Sequence, residues 1–216
     1  MGKLVTFAVP EEAGPFRRFR RQDLRIIVTG MGAEAARRGI RKGLEAGTPD
    51  LVITAGFCGG LNPDLERGTV VVDSESDAAL MAVAEAVGIK PVGFHIADHV
   101  AVTAEEKSRM AGETGKDVVE MESGIIAETC RERGIPVATI RVISDPAGED
   151  LPLDFNKLMT KKGGVHFGRL ALELAKRPKM IPRLMRLQKD TKAAAIELAA
   201  ALMKFCEGWD QGVGLT

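Results

Sequence analysis

Tyrosine is absent, tryptophan occurs once, and aromatic residues make up 4% of the 216-residue chain. So few rings leave little with which to stack nucleic-acid bases, and a nucleic-acid partner is not expected. Histidine and cysteine occur three times each. Cys58, Cys130 and Cys206 lie far apart with no CxxC pair, which argues against both a zinc site and a disulfide framework. No stretch approaches the ~20 apolar residues that span a bilayer. The N-terminal MGKLVTFAVPEEAG also lacks the apolar run and small-residue cleavage site of a secretion signal. The expectation is a cytoplasmic globular protein with no metal. Hydrophobic residues at 45% and a mean hydropathy of zero supply a sizeable core, and residues 1–216 are expected to form a single α/β domain.

What is present is charge, in equal amounts and uneven places. The chain carries 30 basic and 30 acidic side chains. Residues 1–44 hold 10 basic against 4 acidic, 45–156 hold 8 against 21, 157–192 hold 11 against 2, and 193–216 hold 1 against 3. A neutral total thus hides an acidic centre and a basic C-terminal third, an asymmetry that bears on partners rather than on fold. Within 176–192, Met180, Ile181, Leu184, Met185 and Leu187 interleave with Lys179, Arg183, Arg186 and Lys189. Two readings stay open. The segment docks peripherally at an anionic membrane surface, or it packs its apolar stripe on the core and leaves the basic face in water.

Strand-like and helix-like runs alternate. Lys3–Val9, Leu24–Val28, Leu51–Thr54, Thr69–Val72, Lys116–Val119 and Pro136–Ile143 are short, β-branched and bounded by turn residues, as strands are. Ala33–Ala46 stops before Gly47, Ala104–Ala111 opens on the capping pair Thr103 and Glu106 and stops at Gly112, and Ser123–Arg133 stops at Gly134. Leu51–Thr54 and 136–140 are almost continuously apolar, which suits strands covered on both faces. From Phe155 to Phe205 the pattern turns helical, interrupted by Pro178 and Pro182. The expected fold is α/β, a three-layer sandwich with a mixed, largely parallel sheet and a basic helical region over about 157–205.

In open α/β sheets, ligands sit beyond the carboxyl ends of the strands. The first strand runs into Pro10-Glu11-Glu12, two carboxylates that serve either the helix dipole or chemistry. Leu51–Thr54 runs into Ala55-Gly56-Phe57-Cys58-Gly59-Gly60. Glycines there let backbone approach a ligand, although a plain tight turn uses them too, and the spacing fits neither GxGxxG nor GxxxxGK[ST]. Val118-Val119 leads into Glu120-Met121-Glu122. If the strand continues, alternation puts both acids on one side and at least one needs a partner. The last strand carries Arg141, which pairs most simply with a nearby acid, and delivers Ser144-Asp145-Pro146, with Asp145 either functional or an N-cap.

Taken together, AVPEE at 8–12, GMGAEAA at 30–36, ITAGFCGGL at 53–61, RGTVVV at 67–72, VEMESGIIA at 119–127 and IRVISDPAG at 140–148 resemble the nucleoside phosphorylase and nucleosidase superfamily in order and spacing. The C-terminal run RPKMIPRLMRLQKDTKAAAIELAAAL looks like its hopanoid-associated branch, whose substrate is taken to be an adenosyl-bearing lipid. The resemblance implies release of a purine, adenine above all, from a nucleoside that is free or lipid-linked, within a homo-oligomer. It assigns Asp145 as general acid to the purine, oriented by Ser144. Glu122 becomes the acid on the ribose hydroxyls, with Met121 against the sugar, and Glu12 the base for an attacking water. Gly56, Phe57, Cys58 and Gly59 would line nucleophile and sugar, and Val100, Ala101 and Val102 the base. No cofactor is implied, though phosphate is the co-substrate if the reaction is phosphorolytic.

Two departures bear on the nucleophile. Thr54 stands where phosphorolytic relatives often carry an arginine for phosphate, which favours hydrolysis. Phe57 stands where nucleosidases have a small hydroxyl residue. Arg17 and Arg18 are an alternative phosphate site or a solvated helix face. Phosphorolysis and non-catalytic nucleoside binding remain the alternatives.

Overall fold

The computed structural model describes residues 2–19, 21–160 and 163–213. Lys161 and Lys162, part of the expected basic region, lie outside the described residues, as do Met1, Arg20 and 214–216. The sheet is built around β3 (Leu51–Gly60), which pairs in parallel with β1 (Lys3–Phe7) on one edge and β8 (Val137–Asp145) on the other. Beyond β1 lies parallel β2 (Leu24–Val28), and beyond β8 lie antiparallel β4 (Val70–Asp73) and then β5 (Lys90–Val92). The far end of β3 turns away from β1 and pairs antiparallel with β7 (Val118–Glu120), which carries parallel β6 (Phe94–Ile96). The result is a mixed, mostly parallel sheet.

Helices cover both faces, and the strands' two-residue period decides which side chain meets which layer. Val5, Phe7, Leu51 and Ile53 pack against α1 (Pro10–Phe16), α3 (Ala78–Ala86) and the inner half of α8 (Ile181–Gln211). Their neighbours Leu4 and Val52 face α2 (Ala33–Glu45) and α5 (Ser123–Arg131) on the other side. The remaining helices are α4 (Ala104–Thr114), α6 (Phe155–Leu158) and α7 (Phe167–Lys176), with a 3-10 turn at Pro178–Met180. Lys3, buried in β1, bonds Asp23 at 2.9 Å and Asp210 at 2.5 Å, tying the end of α8 to the sheet.

Several expectations are corrected. Of the two readings of the glycine run after Thr54, the plain tight turn is excluded. β3 continues to Gly60, because the missing side chains are what let neighbours crowd it: a Cβ on Gly56 would stand 2.7 Å from a Glu12 oxygen, and one on Gly59 3.1 Å from Val119. Glu120 and Glu122 do not share a strand face, since β7 ends at Glu120 and Glu122 becomes the N-cap of α5. Helix α4 runs past Gly112 to Gly115, which takes the left-handed conformation (φ +64°) that ends it. Pro182 does not interrupt the last helix. It sits in the first turn of α8, where its missing N–H is not needed. Elements α3, β5 and β6 are additions to the sequence reading.

Candidate active site

A cavity of about 180 Å³ opens where the carboxyl ends of β1, β3, β7 and β8 meet. Three of the four strand-end signals bring an expected acid to it, as Glu12, Glu122 and Asp145. Phe57, Cys58 and Gly59 come from β3, Met121 and Ser144 sit beside their acids, and Val100 and Ala101 close one side. Two expected residues are not on this wall. Gly56 lies behind Glu12, and Val102 is half-buried beyond the wall, its N–H donating to Glu106 at 2.7 Å. Arg17 and Arg18 are exposed and away from the cavity.

Glu12 is placed by the start of α1. Pro10 opens that helix, and two residues later the carboxylate reaches back to the N–H groups of Ala8 (2.8 Å) and Val9 (3.0 Å), while its other oxygen accepts from Phe57 N–H at 2.8 Å. Burial pushes its carboxyl up, against the pull of those three donors and of Arg141, and the net is a rise. Such a group takes up a proton more readily than a surface glutamate.

Two residues apart, Glu120 and Glu122 have opposite fates. Arg141, buried in β8, bonds Glu120 at 2.7 Å, and Ser123 donates its hydroxyl to the same carboxylate at 2.7 Å. Burial acts to raise Glu120, but Arg141 and Ser123 outweigh it and hold the carboxyl below its usual range. The Arg141–acid pairing read from the sequence is therefore with Glu120. Arg141 also donates to Thr54, to its carbonyl at 2.7 Å and its hydroxyl at 3.1 Å. Glu122 has no such cation. It accepts the Gly32 N–H at 2.7 Å, and burial with the nearby Glu120 charge pushes it up to about 7. Gly32, the positive-φ N-cap of α2, supplies the role of the 30–36 motif.

Asp145 ends β8 rather than capping a helix. Ser144 donates its hydroxyl to Asp145 at 2.6 Å, and Lys107 Nζ lies 2.5 Å from the other oxygen. Burial pushes the Asp145 carboxyl up, and Lys107 opposes without cancelling it. Lys107 itself is fully buried in α4 and also donates to the carbonyls of Pro146 and Glu149, both at 3.0 Å. Neither Lys107 nor His99, which lines the cavity and bonds Asp98 (2.5 Å) and Glu106 (2.8 Å), was singled out from the sequence. The hydrogen bonds to Asp98 and Glu106 raise the imidazole. The signal for Lys107 was faint: it shares a helical face with buried Met110, three residues on. Among the described residues no cluster of His, Cys, Asp and Glu is arranged to hold a metal.

Comparison with known proteins bears on the family and the fold. The 5′-methylthioadenosine/S-adenosylhomocysteine nucleosidase of Shewanella sp. (strain W3-18-1) is 28% identical over 176 residues, covering 66% of this chain and 76% of the relative. The same-named protein of Shewanella oneidensis is 27% identical, with 66% and 75% covered. Among solved structures, the Neisseria meningitidis 5′-methylthioadenosine/S-adenosylhomocysteine nucleosidase in complex with methylthio-immucillin-A superposes with a TM-score of 0.73 at 16% identity, over 95% of this chain and 98% of the other. A futalosine hydrolase mutant of Helicobacter pylori does so at 0.69 and 16%, over 96% and 99%. These superpositions speak to the fold. Residues 5–77 and 73–176 match the sequence profile of the phosphorylase superfamily, so the strand ends that build this cavity fall within the match, and the chain belongs to that superfamily.

Proposed function

We propose that this protein is an enzyme that releases a purine from a nucleoside by hydrolysing the N-glycosidic bond. The observation that carries the reading is the disposition of acids and cations around one cavity. Both cations buried beside it are committed, Arg141 to Glu120 and Lys107 to Asp145, so Glu12 and Glu122 face the cavity without a bonded cation. An incoming phosphate would meet two acids with no bonded cation to offset its charge, whereas a water meets a base.

The chemistry follows. Water attacks the anomeric carbon as the bond to the purine breaks, and the bond's electron pair leaves with the base. Glu12 takes the proton of the water, and Asp145, oriented by Ser144, gives a proton to the purine. Glu122 binds the ribose hydroxyls, and its negative charge favours the oxocarbenium-like sugar. Lys107 positions Asp145 and fixes the chain that follows it. Adenine as the base is supported by the adenosine-derived substrates in the names of the nucleosidase relatives. The finer reading, an adenosyl group borne on a lipid, is supported by the C-terminal resemblance to the hopanoid-associated branch.

Incubating the protein with adenosine and 5′-substituted analogues, with and without phosphate, tests this. Free ribose from adenosine, and the 5-substituted ribose from each analogue, are expected in both conditions. Ribose 1-phosphate formed only with phosphate would make phosphorolysis the reaction, and no product in either would leave a binding protein.

A further inference from the structure

The exposure of the basic C-terminal stretch bears on its two readings. Helix α7 has no buried residue, and α8 buries none before Ala194. Phe167 is 78% exposed, Leu172 55%, Ile181 42% and Met185 65%. Of the stripe on 176–192, Ile181 and Met185 thus stand in water while Met180, Leu184 and Leu187 are half-buried, so the stripe is only partly covered. Arg169, Arg177, Lys179, Arg183, Lys189 and Lys192 are exposed alongside it. In the same stretch Lys157 pairs with Asp154, Lys176 with Glu173 and Arg186 with Asp190.

From this juxtaposition we infer that α7 and the outer half of α8 form a docking surface for an anionic phospholipid bilayer. Large apolar side chains left in water beside unneutralised cations match an interface that is apolar below its headgroups and negative at them. Two other occupants fit less well. A second copy meeting this face about a two-fold axis would set each basic patch near its twin, like charge against like. A nucleic acid would use the cations and leave Phe167, Leu172, Ile181 and Met185 unsatisfied.

Short contacts link the segments flanking this surface to the cavity wall. Asn156 in α6 clasps the Val100 backbone through two hydrogen bonds, at 2.8 and 2.9 Å, and Val100 lines the cavity. Met31, another wall residue, donates its N–H to the Gly163 carbonyl at 2.8 Å, four residues before α7 starts. On the outer half of α8, Asp190 lies 3.4 Å from Arg67, which donates to the Ser144 carbonyl at 2.8 Å.

Co-sedimentation of the full chain with vesicles, read without any turnover, tests docking independently of the proposed reaction. At low salt the protein should pellet with phosphatidylglycerol vesicles, stay in solution with phosphatidylcholine vesicles, and be released by salt. Lys179→Gln combined with Arg183→Gln should weaken partition about 30-fold, roughly fivefold per charge removed. Phe167→Ser should weaken it about tenfold, while circular dichroism and thermal unfolding stay as in the parent. Equal and negligible pelleting with both vesicles would overturn the inference. So would a dimer in sedimentation velocity that Phe167→Ser dissolves, since a second copy would then cover the face.

Discussion

The strand-end cavity and the α7–α8 arm carry charge in opposite ways. In the cavity, acids are buried, and each has an internal partner that sets its state: Arg141 for Glu120, Lys107 for Asp145, backbone N–H groups for Glu12 and Glu122. On the arm, most cations are exposed, and the apolar residues between them are exposed or only half-buried. A buried charge has its protonation dictated by the fold, whereas an exposed one acquires meaning only from what approaches it. Substitutions in the first region should therefore disturb chemistry and pH response, and substitutions in the second should leave the folded protein almost untouched.

The largest expected effect is at Asp145. Asp145→Asn should lower turnover by ~10²–10⁴-fold with nucleoside affinity retained, measured by steady-state kinetics and equilibrium binding. A variant keeping more than half the parent rate would remove Asp145 from the chemistry. Glu12→Gln should reduce hydrolysis by about 100-fold with little change in KM. Full recovery on adding phosphate would make phosphate the native nucleophile. On the inner half of α8, Leu202→Ala should destabilise by about 2–5 kcal/mol in denaturant titration, because Leu202 is fully buried.

Glu122→Gln should act through pH. A carboxyl whose folded pKa is raised stabilises the fold through its protonated form. For Glu122 that contribution is complete below the ordinary value of 4.5 and is lost as pH rises to about 7. A glutamine still accepts the Gly32 N–H and has no charge to bury. Its Tm should exceed the parent's by at least about 2 °C at pH 8, and the two should converge near pH 4. The smallest effect is expected on the arm. Met185→Ser should change stability by less than about 0.5 kcal/mol, although it lies on the same helix as Leu202. A loss as large as that of Leu202→Ala would mean that the arm is core after all.

The central strands were legible because β-branched runs covered on both faces leave continuous apolar sequence, as at Leu51–Thr54 and Val137–Ile140. The acids of the site were legible because an open sheet delivers its strand ends to the ligand, and Glu12, Glu122 and Asp145 each follow a strand. The length of β3 was not legible. In isolation Gly56 and Gly59 suggest a turn, and only the crowding by Glu12 and Val119 explains them within a strand. Lys107 was hidden for a related reason. A lysine in Ala104-Glu105-Glu106-Lys107 looks solvated until α4 folds over the end of β8 and makes it the counter-ion of Asp145. Short β5 and β6 offer three residues each, too few for a pattern. The arm's periodicity announced a helix but not which way its stripe would face.

Helix α8 belongs to both regions at once, and that has a mechanical consequence. Its 31 residues extend about 46 Å at 1.5 Å per residue, and between Arg183 and Glu207 there is neither glycine nor proline to act as a joint. The inner half is wedged against the sheet and tied by Lys3 to β1, so the outer half is a stiff lever, not a tether. Whatever grips the lever fixes the orientation of the whole sheet, and with it the direction in which the mouth of the cavity points.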